Sequence, residues 1–214
     1  MYHLRFRQVH LDFHTSGLIP GIGEKFNKRH FQEALKVGHI DSVTLFSKCH
    51  HGYSYHPTKV GKKHPLLKTD LLARQIDACR EIDVRCPIYI SAGLDELAAF
   101  ANPNWVVKKK DGMIYNPLDV GWFERRMRFN SPYLDYLCAQ TNEVVERWPD
   151  NDGIFFDIIA TQRDYSEDAL QEMMKLGYNP EDDDQVEAYA ETIMLRYMKA
   201  TNKVVRAKRK DAPV

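Results

Sequence analysis

Apolar segments of strand length that alternate with amphipathic helical segments predict an α/β fold with a parallel sheet. Two further features agree. The fourth strand segment, Gly153-Ile-Phe-Phe-Asp-Ile-Ile159, is a near-continuous apolar run, the pattern of a parallel strand covered on both faces. The polar residues capable of chemistry gather where the strand segments end, which is where both open α/β sheets and α/β barrels place their sites. Units of this kind can wind doubly or close into a (β/α)8 barrel, and the pattern alone leaves both open.

Residues 8–14, Gln-Val-His-Leu-Asp-Phe-His, alternate with period two and run into Thr15-Ser-Gly17, a strand that ends in a loop. A short helix is expected over residues 26–37, with Phe31 and Leu35 four apart and Gly38 just past its end. Ser42-Val-Thr-Leu-Phe-Ser47 reads as the second strand, followed by the loop Lys48-Cys-His-His-Gly-Tyr53. From 67 to 82, Leu67, Leu71, Leu72, Ile76, Cys79 and Ile82 recur at the spacing of one helical face. Cys86-Pro-Ile-Tyr-Ile-Ser91 gives the third strand, and the insertion behind it carries a hairpin-type turn at Lys110-Asp-Gly112. Ser131-Pro132 supplies an N-cap with proline at the first helical position, and Leu134, Leu137, Cys138, Thr141, Val145 and Trp148 mark the buried face of a third helix. After the fourth strand a long helix is expected from Asn179-Pro180, with acids in its first turn and Val186, Tyr189, Ala190, Ile193, Tyr197 and Val204 turned inward.

The 30 Lys and Arg residues balance 30 Asp and Glu to a formal net charge of zero. No overall basic field is therefore present to hold a nucleic-acid backbone or an anionic membrane surface. The basic run over residues 203–210 ends a helix, where cations complement the helix dipole. Four cysteines without a CxxC pair read as reduced thiols within a core. No segment reaches membrane-spanning length and no apolar stretch follows the charged first seven residues, so a cytoplasmic location is the expectation. No cofactor is expected. One domain over 1–214 is the default, but a full (β/α)8 barrel takes roughly 250 residues. The chain shows four units and ends on what resembles the approach to a fifth strand, so it reads as truncated.

His14 ends the first strand, His50 and His51 follow the second, Asp95 and Glu96 follow the third, and Asp157 ends the fourth. Asp157 is the sharpest of these, because a carboxylate inside an apolar run is costly to bury unless it is paired or used. Its structural alternative is an ion pair with Arg163, the nearest cation in sequence. Glycoside hydrolysis needs two carboxylates flanking the scissile bond, and Asp157 would serve as the nucleophile of a retaining enzyme. His14, His50, His51 and Glu96 would suit sugar hydroxyls, while Tyr53, Tyr55, Trp105 and Trp122 would suit sugar faces. Asp95 and Glu96 could equally cap the short helix behind them, and the tryptophans could serve packing alone. A rival of different chemistry places His10, Asp12 and His14 on one side of the first strand as the ligands of an amidohydrolase-like metal site. A third reading is a non-catalytic carbohydrate-binding or assembly fragment, whose open strand edges would pair with the missing half or a second copy.

The stretches Val9-His-Leu-Asp-Phe-His-Thr-Ser16, Lys48-Cys-His-His-Gly-Tyr53, Tyr89-Ile-Ser-Ala-Gly-Leu-Asp95, Asn102-Pro-Asn-Trp105 and Asp152-Gly-Ile-Phe-Phe-Asp157 together resemble the hypothetical glycosyl hydrolase family 6 domain. That domain stands at the start of larger enzymes related to α-L-fucosidases of glycoside hydrolase families 151 and 29. The family 29 pattern Lys-His-His-Asp-Gly-Phe is similar to Lys48-Cys-His-His-Gly-Tyr53, with Cys49 at the first histidine position and His51 at the aspartate position. The resemblance implies the N-terminal half of a TIM-barrel glycosidase, α-L-fucosidase-like or β-galactosidase-like, with Asp157 as nucleophile and His50 as a sugar-binding residue. It also implies an acid/base residue from the later half of the barrel, outside this chain, so that the fragment alone is expected to be inactive.

Overall fold

The computed structural model describes residues 5–114 and 125–214. Its elements in order are β1 (Gln8–His10), α1 (Lys28–Val37), β2 (Ser42–Lys48), β3 (Tyr53–Ser54), β4 (Lys62–Lys63), α2 (Leu71–Arg80), β5 (Ile88–Ser91), α3 (Glu96–Ala101), a 3-10 turn at Pro103–Trp105, α4 (Tyr133–Arg147), β6 (Ile154–Asp157), α5 (Glu167–Lys175) and α6 (Asp183–Lys208). The mixed α/β expectation holds. Four strands, β1, β2, β5 and β6, lie parallel in that order, each reached from the one before by a crossover that includes a helix. The short β3 turns back antiparallel on β2 and carries β4 along its other side.

The helices start and stop where local chemistry dictates. Asn27 caps α1 by accepting the His30 amide at 3.0 Å. Gly38 follows the helix as expected, yet the left-handed residue is His39 (φ 51). The bonds from Ile40 N to Leu35 O and from His39 N to Lys36 O complete a Schellman turn, so the glycine itself stays in the ordinary right-handed region. Asp70 caps α2, which begins four residues later than the apolar spacing suggests. In α4 the Ser131 hydroxyl accepts the Tyr133 amide and Pro132 occupies the cap itself. Asp182 caps α6 by accepting the amides of Asp184 and Gln185, which moves its start from the expected Asn179-Pro180 to Asp183.

One face of the sheet packs under the helices. Val43, Leu45, Ile88, Ile90, Ile154 and Phe156 meet Leu72, Ile76, Leu137, Val144, Tyr189 and Tyr197 in the main core, with Trp148 buried beside them. α1 packs along α2 and α4 along α6. Cys49, Cys79 and Cys86 are buried free thiols, in accord with the reading of cysteine as small core residues. No helix among the described residues is long and apolar enough to cross a membrane.

The opposite face corrects the expectation of a fully covered fourth strand. Phe46, Tyr89 and Phe155 stand side by side across β2, β5 and β6 with their rings stacked at 3.8 and 5.8 Å, and the His10 ring tilts against all three. Phe155 is nonetheless 41% exposed. This face is covered over β2 and β5 and open at β6.

Arg128 pins the loops beyond the strands. Its guanidinium is buried and donates to Asp164, Asp168 and the Asn104 carbonyl, each at 2.6 Å. Asp164 in turn accepts the amides of Lys108 and Ser166. This arginine therefore ties together the stretch behind α3, the approach to α4 and the start of α5.

Candidate active site at the strand ends

The parallel register carries Ser91 of β5 alongside Asp157 of β6, and the loops after β1 and β2 arrive at the same rim. His14 leaves β1 early. The ladder stops at His10 rather than His14, because Thr15 gives its amide to the Tyr55 hydroxyl, which itself donates to the Phe13 carbonyl. The chain is thereby turned over the strand ends, and the His14 ring stacks on that of His50 at 3.9 Å.

Asp157 takes three neighbours here. The Tyr89 hydroxyl donates to its Oδ2 at 2.6 Å, its Oδ1 accepts the Ile158 amide at 2.8 Å, and His50 Nε2 stands 3.7 Å from Oδ2. Its side chain is 31% exposed, so it is available to a ligand while held by the protein. The Arg163 ion pair considered as a structural alternative is not made; Arg163 pairs with Glu187 and Asp183 instead. Past Asp157 the backbone bends sharply, with Ile158 in the left-handed region at φ 57, a costly conformation for a β-branched residue. Gly93 makes the bend sterically possible, since a Cβ there would fall 1.8 Å from the Ile158 carbonyl oxygen. The amides of Ala92 and Gly93 both donate to the Asp157 carbonyl.

Burial governs the histidines. It pushes the His50 pKa from 6.5 down to about 4, with the neighbouring His14 acting in the same direction and Asp157 and Asp12 opposing. At neutral pH the His50–Asp157 approach is thus a neutral ring beside a carboxyl group. Burial also lowers His14 and His51, against the charge of Asp12 in the case of His14. The Tyr89 hydroxyl is raised by burial and then by Asp157, which keeps it a proton donor.

Behind the rim lies a buried ion pair. Lys48 Nζ donates to Asp95 Oδ2 at 2.7 Å and to the Tyr133 hydroxyl at 3.3 Å. Asp95 also caps α3 through the Ala98 amide, and the amides of Glu96 and Leu97 donate to the carbonyls of His50 and His51. The histidine loop is thus moored to the first turn of α3.

The other expected site residues are scattered around this centre. Glu96 is the first residue of α3 and pairs with Arg125, while the capping that was expected of Asp95 or Glu96 falls to Asp95 alone. His51 is half-buried, with His14 and His64 for electrostatic neighbours. Tyr53 lies on β3 with its ring 5.1 Å from His64 and its hydroxyl against Gly17. Trp105 packs on Tyr133 and Tyr136 at 6.2 and 6.1 Å. Tyr55 is wholly buried, so it is a structural donor and not a surface for a sugar face. Trp122 lies outside the described residues. Asp12 bridges His14 at 2.8 Å and His10 at 3.7 Å, but both Asp12 and His14 lie past the end of β1. Among the described residues no three His, Cys, Asp or Glu side chains are grouped so as to hold a metal ion.

Two residues of this centre were passed over in the sequence, Tyr89 and Ser91. The available signal was their spacing: two apart at the end of a strand, they share a face and both reach the rim.

The sequence pattern of the family described as hypothetical glycosyl hydrolase 6 matches residues 27–158 of the 214. The chain belongs to this family. Among solved structures, α-L-fucosidase isoenzyme 2 from Paenibacillus thiaminolyticus is 39% identical to this chain, with a TM-score of 0.94 over 99% of it. The chain spans 32% of the length of that fucosidase. A hypothetical protein from Ruminiclostridium thermocellum, 13% identical with a TM-score of 0.58, covers 97% of this chain and 95% of its own. A further α-L-fucosidase, 21% identical with a TM-score of 0.50, covers 89% of this chain and 34% of its own. The last two show likeness of fold alone. No match is found among curated proteins.

Proposed function

We propose that the chain is the N-terminal part of the catalytic (β/α)8 barrel of a retaining glycoside hydrolase acting on α-L-fucosides, with Asp157 as the nucleophile. The observation that carries this reading is the placement of Asp157. It stands part-exposed at the carboxyl end of a parallel strand, fixed by Tyr89 and flanked by His50, with His14 stacked behind. A nucleophilic carboxylate must present one oxygen to the anomeric carbon along a fixed line, and bonds to Tyr89 and to the Ile158 amide hold it on that line. His50 and His14 would meet sugar hydroxyls, with His51, Tyr53, Glu96 and Trp105 around them. The acid/base carboxylate would come from strands beyond these residues, and the open β6 face with the exposed Phe155 is the surface those strands would cover. The four parallel strands in chain order support the barrel. The likeness to the Paenibacillus thiaminolyticus α-L-fucosidase supports the sugar.

Asp157→Asn keeps shape and removes the nucleophile. In the chain joined to its native continuation, hydrolysis of an aryl α-L-fucoside should fall by on the order of a thousandfold, and proton NMR of the wild-type product should show retained α configuration. Unchanged hydrolysis in Asp157→Asn would remove Asp157 from this role.

A further inference from the structure

His50 belongs to a chain of hydrogen bonds whose direction can be worked out from donor count alone. Ser91 is wholly buried at the end of β5, and its Oγ lies 2.6 Å from the Leu94 carbonyl oxygen and 2.6 Å from His50 Nδ1. A carbonyl oxygen only accepts, so the single hydroxyl proton of Ser91 goes to Leu94. Ser91 Oγ must then accept from His50, which places the ring proton of His50 on Nδ1. A neutral imidazole carries one proton, so Nε2 bears a lone pair, and Nε2 is the atom that stands 3.7 Å from Asp157 Oδ2.

The stacked partner is fixed the opposite way. The His50 backbone amide donates to His14 Nδ1 at 3.2 Å, so that nitrogen is an acceptor and His14 carries its proton on Nε2, directed at Asp12 Oδ1 at 2.8 Å. Two rings 3.9 Å apart thus hold opposite tautomers, each set by a different partner. If His50 instead carried its proton on Nε2, it would point a donor at Asp157 and draw on the lone pairs of the carboxyl group.

We propose that Ser91 is a positioning residue that fixes the tautomer of His50, so that the strand ends present two acceptors, His50 Nε2 and Asp157 Oδ2, to a hydroxyl group of the ligand. The tautomer belongs to the resting chain; its use on a sugar rests on the glycosidase reading above. A pair of acceptors facing one position selects a donor. A ligand hydroxyl donates to His50, whereas an ether oxygen, a carboxylate or a halogen at the same position finds no proton there. Keeping the histidine from donating also leaves the Tyr89 hydroxyl as the one side-chain donor to Asp157 Oδ2 among the described residues.

The test is multiple-bond proton–nitrogen NMR on the 15N-histidine-labelled chain at about pH 7.5, where an ordinary imidazole is neutral, with His50→Gln used to assign the His50 signals. The expected spectrum has the His50 proton on Nδ1 in the wild type, a shift to the Nε2-protonated or mixed pattern in Ser91→Ala, and recovery of the wild-type pattern in Ser91→Thr. A protein merely loosened by loss of the hydroxyl would shift many histidines together, not invert one. A wild-type His50 protonated on Nε2, or a Ser91→Ala spectrum with His50 unchanged, overturns the inference. L-fucose titrated into the wild-type chain joined to its native continuation separates the two levels: a selective shift of His50 Nε2 supports the acceptor role on sugar. The stated tautomer with no response of Nε2 to L-fucose overturns that use and counts against the glycosidase reading, while the Ser91 device stands.

Discussion

Acid should loosen this protein through His50 before its ordinary surface groups do so. In the unfolded chain an imidazole titrates near 6.5; in the folded chain burial holds His50 down at about 4. Above pH 6.5 the residue is neutral in both states and contributes no pH dependence. As the pH falls below 6.5 the unfolded chain binds a proton that the folded chain refuses, so stability is lost progressively until about pH 4, where the folded state begins to take the proton too. A gap of about 2.5 units at about 1.4 kcal/mol per unit amounts to about 3.5 kcal/mol once both states have titrated. With only 10% of the side chain exposed, solvent screens little of this. His14 and His51, also lowered, act in the same direction. Urea unfolding of wild type and His50→Gln at several values between about pH 7.5 and 4.5 isolates the contribution, because carboxylates shared by both proteins cancel. The wild type should lose about 2.5 kcal/mol more than His50→Gln across that window, which stops short of the folded-state titration. Parallel loss of stability in the two proteins would refute the reasoning, and with it the buried neutral His50.

Tyr89→Phe removes the donor to Asp157 Oδ2 while keeping the ring in its stack, so under the proposed function aryl α-L-fucoside hydrolysis by the chain joined to its native continuation should fall by about tenfold to a hundredfold in kcat with little change in melting temperature. Gly93→Ala drives a methyl group into the Ile158 carbonyl, and thermal unfolding should register a loss of about 2 kcal/mol or more, since backbone and not a pliant side chain must move. Lys48→Met leaves Asp95 buried without its cation and should destabilise by about 3–5 kcal/mol in urea titration; adding Asp95→Asn, which removes the stranded charge and can still cap α3, should recover part of it.

Much of this arrangement was legible in the sequence for one reason. Parallel strands bring their carboxyl ends to one rim, so His14, His50 and Asp157 could be assembled from strand ends without any knowledge of side-chain contacts. Strands β2, β5 and β6 announced themselves as compact apolar runs. β1 was drawn too long because its period-two alternation continues past the point where hydrogen bonding to β2 ends; alternation reports side-chain direction, and the Tyr55 hydroxyl had taken the backbone elsewhere. Helix α5 escaped notice since only Ala169 and Met173 of its nine residues are buried, too few to set a period. The ribbon of β3 and β4 has two residues in each strand, below the length at which a pattern exists. The partners of Asp157 were missed because sequence proximity favoured Arg163, whereas the donor that reaches it, Tyr89, sits 68 residues away.

Arg128 bears on the order in which this molecule assembles. Its bonds to Asp164 and Asp168 span 36 and 40 residues, and both acceptors lie beyond β6. Closing loops of that length is entropically unfavourable until other contacts have drawn the ends together. The arginine can meet both carboxylates only once the chain beyond β6 has turned back toward α5. Arg128→Met is therefore expected to speed unfolding more than it slows folding, as mixing kinetics in urea would read. The loops around the strand ends are in this sense latched last, and the latch is a single guanidinium group.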